Sequence, residues 1–320
     1  MVAVTVVEGV AAPATVEAPT GGQPGRTGGG DRFGLIACAV GVLLVLVLLL
    51  APVLAPSDPT SIVGDARGHP SAAHWFGLDA LGRDVLSRTL YGGRETLVIA
   101  LLSTFFAALV GVPLGMLAGY VGRWPGGVTM RVMDVFLAFP GLLLALVIVT
   151  IRGPGTTTVV AAVAVSFAPV FARVLYGATQ RVRNQEYVAA ARVVGCGPAR
   201  ILARHVFPVI LPELIVVLSS AIGWTTLLSA TLNFLGFGVR PPAPEWGADL
   251  AAGLSHISQA WWISTAPGVA VTLVILLANL VGDHLGGRLT RGGGRRRRPA
   301  RRDTGDAGVP VAEAVAKAKE

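Results

Sequence analysis

Residues Thr96–Gly122 read TLVIALLSTFFAALVGVPLGMLAGYVG, without a single Asp, Glu, Lys or Arg. About 20 predominantly apolar residues are enough for a helix to cross the hydrocarbon core of a bilayer. The apolar residues are continuous and lack the alternation of polar and apolar positions that is typical of a membrane barrel strand. This stretch therefore predicts a membrane-spanning helix.

Further uncharged, apolar stretches follow the same pattern elsewhere in the chain. They are Phe33–Ser57, Val135–Ile151, Gly153–Ala172, Leu214–Val239 and Leu250–Gly282. The Val135–Ile151 stretch is short, but Val132 and Met133 extend it past Asp134. In the last stretch we expect the span to begin near Trp261 or Trp262, because their amphipathic rings suit a membrane interface. Together the stretches predict an all-α membrane protein with six transmembrane helices.

The overall composition supports a membrane protein. The chain has 320 residues, of which 53% are hydrophobic and 14% charged, and its mean hydropathy is +0.66. An average soluble domain has roughly 25% charged residues, so an ordinary soluble enzyme is excluded. The net charge is +8, but eight arginines cluster between Arg288 and Arg302, which does not favour a nucleic-acid partner. The two cysteines, Cys38 and Cys196, do not make a disulfide framework.

The basic residues predict the orientation. If both termini are cytoplasmic, the inner segments hold 20 Lys and Arg residues against 6 outside, or 10 against 6 without the C-terminal tail. The positive-inside rule favours this orientation. We therefore predict a multi-pass protein of the inner or plasma membrane. Its expected segments are a disordered cytoplasmic arm at 1–32, a first span at 33–57, an external segment at 58–95, a transmembrane domain at 96–287 and an Arg-rich cytoplasmic tail at 288–320.

The most informative cytoplasmic segment, residues 185–208, reads QEYVAAARVVGCGPARILARHVFP. Good helix formers follow Glu186, and the helix dipole favours an acid at this end. The glycines and proline at 195–198 predict a stop and a restart of the helix, and we expect Pro208 and Pro212 to end the second helix. The small side chains of residues 189–191 offer a flat surface to another protein.

This segment resembles the coupling loop of binding-protein-dependent ABC importers, here at 177–212. The matching positions are Ala190, Ala191, Gly195 and Pro208, whereas Ala189 stands where the family has Glu. The substitution removes a carboxylate that would pair with a basic residue of the ATPase, and Glu186, about one turn earlier, is a possible substitute.

Other segments resemble the dipeptide, oligopeptide and nickel permeases of that family. They are HWFGLDALGRDVLSR at 74–88, DVFLAFP at 134–140, NFLGFGVRPP at 233–242, PEWG at 244–247, and WW at 261–262 with NLVGD at 279–283. They occur in the family's order. The resemblance implies the transmembrane domain of a type I ABC importer (ABC type-1).

The resemblance also implies the function and the partners. The chain would form half of the translocation pathway for di- or oligopeptides, or for nickel or another small solute. Its partners would be a second homologous permease, cytoplasmic ATP-binding subunits and an extracytoplasmic binding protein, with lipid around the spans. The chain has no phosphate-binding loop of the type Gly-x-x-x-x-Gly-Lys-Ser/Thr, and its only lysines are Lys317 and Lys319. We therefore expect no enzymatic activity and no cofactor of its own.

Polar residues within the spans are candidates for the pathway, chiefly Ser219, Thr225, Ser229 and Asn279. Ordinary hydrogen bonding within and between helices is the favoured alternative for each of them. The same choice applies to Ser103, Thr104, Ser220, Thr226 and Thr231.

Other classes of protein are less well supported. A secondary transporter would have inverted repeats and charges near the midplane, and neither is visible. Asp134 and Gly282-Asp283 faintly resemble an intramembrane aspartyl protease, but position 280 is Leu rather than Gly. His69 and His74 lie near two aspartates, yet the spacing of a helical metal site is absent, so we expect no metal.

Overall fold

The computed structural model describes residues 29–294, which are helical apart from loops and turns. The helices are α1 (Gly29–Leu49), α2 (Ala51–Leu54), α3 (Val85–Val121), α4 (Arg123–Ala138), α5 (Gly141–Arg152), α6 (Thr156–Arg183), α7 (Glu186–Val193), α8 (Pro198–Ile201), α9 (Phe207–Phe234), α10 (Trp246–Leu254) and α11 (Trp262–Gly294). A π-helical turn, Leu202–Val206, joins α8 to α9. The predicted arm and tail lie outside the described residues, except that 29–32 belong to α1 and 288–294 to α11.

Every predicted span has a helical counterpart, but not all of them are single long helices. Within residues 29–294, four helices are long and apolar enough to cross a bilayer: α3, α6, the continuous helix Pro198–Phe234, and Trp262–Gly286 of α11. The first span is shorter than predicted, with an apolar helix at Gly34–Leu49. The last span begins at Trp262, which confirms the prediction from the tryptophan pair.

The third predicted span is a broken helix, so a single straight helix over Val135–Ile151 was wrong. Helices α4 and α5 meet at an angle of 86°. Pro140 explains the break, because proline disfavours helical geometry in the residue before it. Phe139 accordingly adopts an extended conformation, with ψ 135°. The pair counts as a fifth candidate span.

The boundary predicted for the second span was also wrong, because α3 begins at Val85 rather than at Thr96. The Asp84 side chain caps the helix by accepting a hydrogen bond from the Ser87 N–H at 2.8 Å. The uncharged stretch begins only after Glu95. Charged residues in this first part of α3 are nevertheless part of the helix, and the external segment 58–95 therefore includes three of its turns.

Pro208 and Pro212 do not end a helix, contrary to the prediction. The Phe207 N–H donates to the Leu202 carbonyl, five residues back, which is the wider π-helical spacing. This extra residue places Pro208 in the first turn of α9, where its missing N–H costs little. The helix continues through Pro212 to Phe234.

The most extensive helix contact joins α3 to α6. Three glycines at spacings of four line one face of α3 and allow the backbones to approach closely. A Cβ atom on Gly111 would lie 2.3 Å from the Ala168 carbonyl oxygen, and Gly115 and Gly119 have equally close approaches. Small residues at this spacing are typical of tightly packed membrane helices. The α3–α6 pair is thus held close along its length, and α9 contacts both of these helices.

Candidate functional site

The segment Glu186–Val206, which we call the elbow, consists of α7, a tight turn, α8 and the π-helical turn. Gly195 ends α7 with φ +85°, a left-handed conformation that favours glycine. The Gly195 N–H donates to the Arg192 carbonyl at 2.9 Å, and the Cys196 N–H donates to the Ala191 carbonyl at 3.0 Å. These two bonds form a Schellman motif, so the turn has one defined geometry.

The inner face of the elbow belongs to the same hydrophobic core as the long helices. Val188 and Ile201 are fully buried. They pack in one cluster with residues of α3, α6 and α9, such as Met116, Phe171 and Ile210. Interiors packed in this way transmit displacement rather than absorbing it, so the elbow and these helices are expected to move together.

Polar contacts tie the neighbourhood of the elbow to the C-terminal end of α3. The Arg183 guanidinium donates to the carbonyls of Gly119 at 3.1 Å and Tyr120 at 3.0 Å. The Arg192 guanidinium lies over the Tyr120 ring, 5.2 Å from its centroid. The orientation of α7 is therefore fixed relative to α3.

The outer face of the elbow is exposed and largely apolar. Of the predicted coupling residues, Glu186, Ala189, Ala190, Gly195 and Pro208 are exposed, whereas Ala191 packs against the core cluster. The sequence reasoning missed two neighbours, since Val193 is 88% and Val194 83% exposed. Two adjacent valines before a glycine turn were a usable signal, because β-branched residues are poor choices for the exposed end of a helix.

The candidate pathway residues form hydrogen bonds with backbone carbonyls of their own helices or with a side chain of a neighbouring helix. Thr225 is fully buried, and its hydroxyl lies 2.9 Å from that of Thr104 on α3. Ser229 donates to the Thr226 carbonyl at 3.0 Å, and the Asn279 amide donates to the Ile275 carbonyl at 3.0 Å. Ser219 donates to the Ile215 carbonyl and borders an otherwise apolar cavity of about 470 Å³ between α1, α3, α9 and α11. These bonds match the alternative reading, and a pathway role stays a prediction.

At the opposite end of α3, residues 58–84 and α10 form a second polar assembly, which we call the cap. Arg88 is 6% exposed and forms an ion pair with Asp249. Its Nε atom lies 3.7 Å from Asp79 Oδ2, and the Arg83 Nε donates to the same oxygen at 2.6 Å. Sequence analysis missed this cluster because its members lie about 160 residues apart.

The cap also contains a fully buried carboxyl group, Glu245, at the start of α10. One oxygen accepts a hydrogen bond from the Thr96 hydroxyl at 2.9 Å, and the other accepts from the Ala248 N–H at 2.9 Å. Burial, which is the largest cause, raises the pKa of Glu245 to about 7 despite these bonds. The group therefore changes charge near neutral pH.

The histidines near the cap have partners within the chain. The His74 Nδ1 atom lies 3.0 Å from Asp84 Oδ1, and the His69 ring packs 4.9 Å from the Trp262 ring. Among the described residues, no group of three or more His, Cys, Asp or Glu residues is placed to hold a metal ion.

Comparison with known proteins decides the family. Residues 111–291 match the family described as "Binding-protein-dependent transport system inner membrane component". The chain belongs to this family. It is a permease subunit of an ABC importer and an inner-membrane component. The family resemblance that its sequence motifs indicated is thereby confirmed.

Three relatives are similar to this permease over most of its length. It is 39% identical to the glutathione transport system permease protein GsiD of Pectobacterium atrosepticum, over 78% of this chain and 85% of that protein. It is 39% identical to the di/tripeptide permease DppC of Pseudomonas aeruginosa, over 76% and 83%. It is 35% identical to the dipeptide permease DppC of Alkalihalophilus pseudofirmus, over 80% and 84%.

Solved structures show the same fold. Two crystal forms of the inward-facing MetNI methionine ABC transporter match with TM-scores of 0.52 and 0.55 at 23% and 20% identity. The matches cover 65% and 64% of the permease, and 95% and 98% of the solved chains. The transmembrane domain is therefore that of a type I importer, as the sequence predicted.

Proposed function

We propose that this permease forms half of a translocation pathway for di- and tripeptides, including glutathione, and that separate ATP-binding subunits drive it through the elbow. The substrate class rests on relatives named as glutathione, dipeptide and di/tripeptide permeases. A second homologous permease supplies the other half of the pathway. An extracytoplasmic binding protein delivers the substrate.

The observation that carries the proposal is the two-sided construction of the elbow. Its outer face exposes Val193 and Val194, and its inner face, through Val188 and Ile201, is part of the core shared by α3, α6 and α9. A helix presented to a groove is a common mode of recognition between proteins. A partner that holds the outer face can therefore displace three membrane helices at once.

The transport cycle follows from this construction. ATP binding closes the two ATP-binding subunits and moves the elbows that they hold. This movement shifts the helix packing towards an outward-open state, and hydrolysis returns it to the inward-facing state. ATP shifts the equilibrium because the elbow contact differs between the two states.

The orientation of the chain is part of the proposal, with both termini and the elbow in the cytoplasm and the cap outside. The larger number of arginines on the proposed inner side supports it. ATP hydrolysis belongs to a separate chain, which agrees with the lack of a phosphate-binding lysine motif in this sequence.

The test is uptake by proteoliposomes that contain the permease, its sister permease, the ATP-binding subunits and the binding protein. We expect ATP-dependent accumulation of a labelled di- or tripeptide, or of glutathione, and none without the binding protein. Accumulation of nickel alone would contradict the proposed substrate class. Uptake by the permease alone, driven by an ion gradient, would contradict the ATP-driven mechanism and favour a secondary transporter.

A further inference from the structure

The charges on the outer face of the elbow are mostly positive. Arg192, Arg200 and Arg204 are exposed there, against the single carboxylate of Glu186. Position 189 holds Ala, which leaves the exposed side of α7 without a second acid. A groove that fits this surface needs negative charge more than positive charge.

The three arginines are not equivalent. Arg192 is engaged within the chain, since it lies over the Tyr120 ring and donates to the Arg183 carbonyl at 3.4 Å. Within residues 29–294, neither Arg200 nor Arg204 forms an ion pair. These two guanidinium groups are therefore available to a partner.

Arg200 and Arg204 adjoin the apolar tip of the elbow. They lie four residues apart, which places them on one side of the helical segment that α8 begins. The stretch that connects Val194 to Arg200 is also exposed, apart from Cys196, whereas Ile201 and Leu202, between the two arginines, are buried. A partner that covers Val193 and Val194 thus meets both arginines at the edge of the contact.

We propose that the elbow fits a groove on the ATP-binding subunit that has an apolar floor for Val193 and Val194 and a rim of carboxylates opposite Arg200 and Arg204. This inference rests on the proposed function, which makes the ATP-binding subunit the occupant. Carboxylate pairs with arginine are strong and geometrically specific. Complementary rim charges contribute mainly to the choice of partner and to the rate of association.

A lipid surface is the competing occupant, and the elbow is poorly built for it. Amphipathic helices that lie on membranes have a broad apolar face opposite a basic one. The large apolar side chains exposed on the elbow are confined to Tyr187, Val193 and Val194, and the other exposed side chains of α7 are alanines and the charged Glu186 and Arg192. This small apolar tip suits a pocket rather than a bilayer.

The first experiment uses the scarcity of lysine in the chain, whose only lysines are Lys317 and Lys319. The permease with Arg200→Lys and Arg204→Lys is assembled with its partner subunits in nanodiscs that contain phosphatidylserine. A carbodiimide then joins lysine amines directly to carboxylates in contact with them, and mass spectrometry locates the links. The matched control is Arg94→Lys, an exposed position on α3 beside the cap.

We expect links from the new lysines at positions 200 and 204 to Asp or Glu residues of the ATP-binding subunit, and none from the Arg94→Lys control. An intact complex with no such links would overturn the inference, as would links to phosphatidylserine carboxylates instead. If the ATP-binding subunit fails to assemble even with the unaltered permease, the proposed function fails instead.

The second experiment reverses the charges. The double variant Arg200→Glu/Arg204→Glu should lower the recovery of co-purified ATP-binding subunit about tenfold at low salt, because both ion pairs are replaced by repulsion between like charges. The effect should shrink as ionic strength rises. The Arg94→Glu variant should leave recovery unchanged. Unchanged recovery with both variants would contradict the carboxylate rim.

Discussion

The Val85 end of α3 enters a cap that contains a cluster of largely buried, paired charges, whereas its Val121 end reaches an elbow whose outward side chains are exposed. The helix is 37 residues long, which separates the two ends by about 55 Å. In the cap, Arg88 has carboxylate partners within the chain. At the elbow, Val193 and Arg200 are exposed, and Arg200 forms no ion pair within residues 29–294. The charge cluster of the cap is paired within the chain, whereas we propose that a second protein covers the outer face of the elbow.

The difference between the cap and the elbow predicts which property a substitution in each region should affect. Changes in the cap should reduce the stability of the permease alone, because they leave buried groups without partners. Changes on the outer face of the elbow should spare stability and affect assembly and transport. The following predictions test this division, from the largest expected effect to the smallest.

Arg88→Ala should be the most destabilising change. It leaves Asp79 and Asp249 as buried carboxylates without their shared cation, and breaking a buried ion pair typically costs about 3–5 kcal/mol. The measurement is the yield and thermal midpoint of the purified permease in detergent. Arg94→Ala, at an exposed position on the same helix, should change neither. A folded Arg88→Ala variant of normal stability would show that the cap network is not structural.

Glu245→Gln should remove a pH dependence of stability. Folding raises the pKa of Glu245 from 4.5 to about 7, so its favourable contribution is complete below pH 4.5 and is lost as the pH rises through 7. The shift corresponds to about 3 kcal/mol. Because Gln is neutral and keeps partners for Thr96 and Ala248, the variant should be more stable than the unaltered permease above pH 7.

Thermal unfolding between pH 5 and pH 8 measures the difference. The control is Glu186→Gln, which removes an exposed carboxylate of the elbow and leaves the cap unchanged. Parallel curves for Glu245→Gln and the unaltered permease would mean that folding does not raise the pKa of Glu245 above its value in the unfolded chain.

Gly195→Val should abolish transport at a modest cost in stability. A β-branched residue is strained at φ +85°, by about 1–2 kcal/mol, so the turn between α7 and α8 must change. Gly197→Val is the matched control, because Gly197 has φ −67° and open space around it. Peptide uptake and membrane insertion are measured for both. Retained uptake with Gly195→Val would show that transport does not depend on the geometry of the elbow.

Thr225→Val should have the smallest effect, about 0.6 kcal/mol in stability. It removes the hydrogen bond between α9 and α3 but leaves a side chain of the same shape. Uptake should be unchanged, as with Thr231→Val, whose hydroxyl bonds only to its own helix. A fall in uptake with normal stability would assign Thr225 to the pathway.

The sequence alone predicted the membrane spans, but it did not predict where the helices begin and end or how they are connected. Uncharged stretches marked the apolar helices because hydrocarbon excludes charge, yet that same criterion placed the start of α3 at Thr96 instead of Val85. The charge of Arg88 in its first turn is tolerated because Asp79 and Asp249 pair with it, and the pairing with Asp249 is a long-range contact. The bend at Pro140 was readable from the proline, whereas the passage of α9 through Pro208 depends on a π-helical turn that no local pattern indicated.

The candidate site was predicted in part. The motif located Gly195, and its positive φ confirms the predicted turn. Which of the three alanines faces outward depends on how α7 packs against the core: Ala191 is partly buried there, whereas Ala189 and Ala190 are exposed. The role of all three in coupling stays a prediction. The cap network was missed because it joins Asp249 to residues that lie about 160 positions earlier in the sequence.

The central claim is that the outer face of the elbow contacts a separate ATP-binding subunit. The most direct measurement is the amount of that subunit recovered with the purified permease, compared between the unaltered chain and the double variant Val193→Asp/Val194→Asp. Both side chains are more than 80% exposed, so the fold should be unaffected. The account predicts recovery at least tenfold lower with an unchanged thermal midpoint; equal recovery would contradict it.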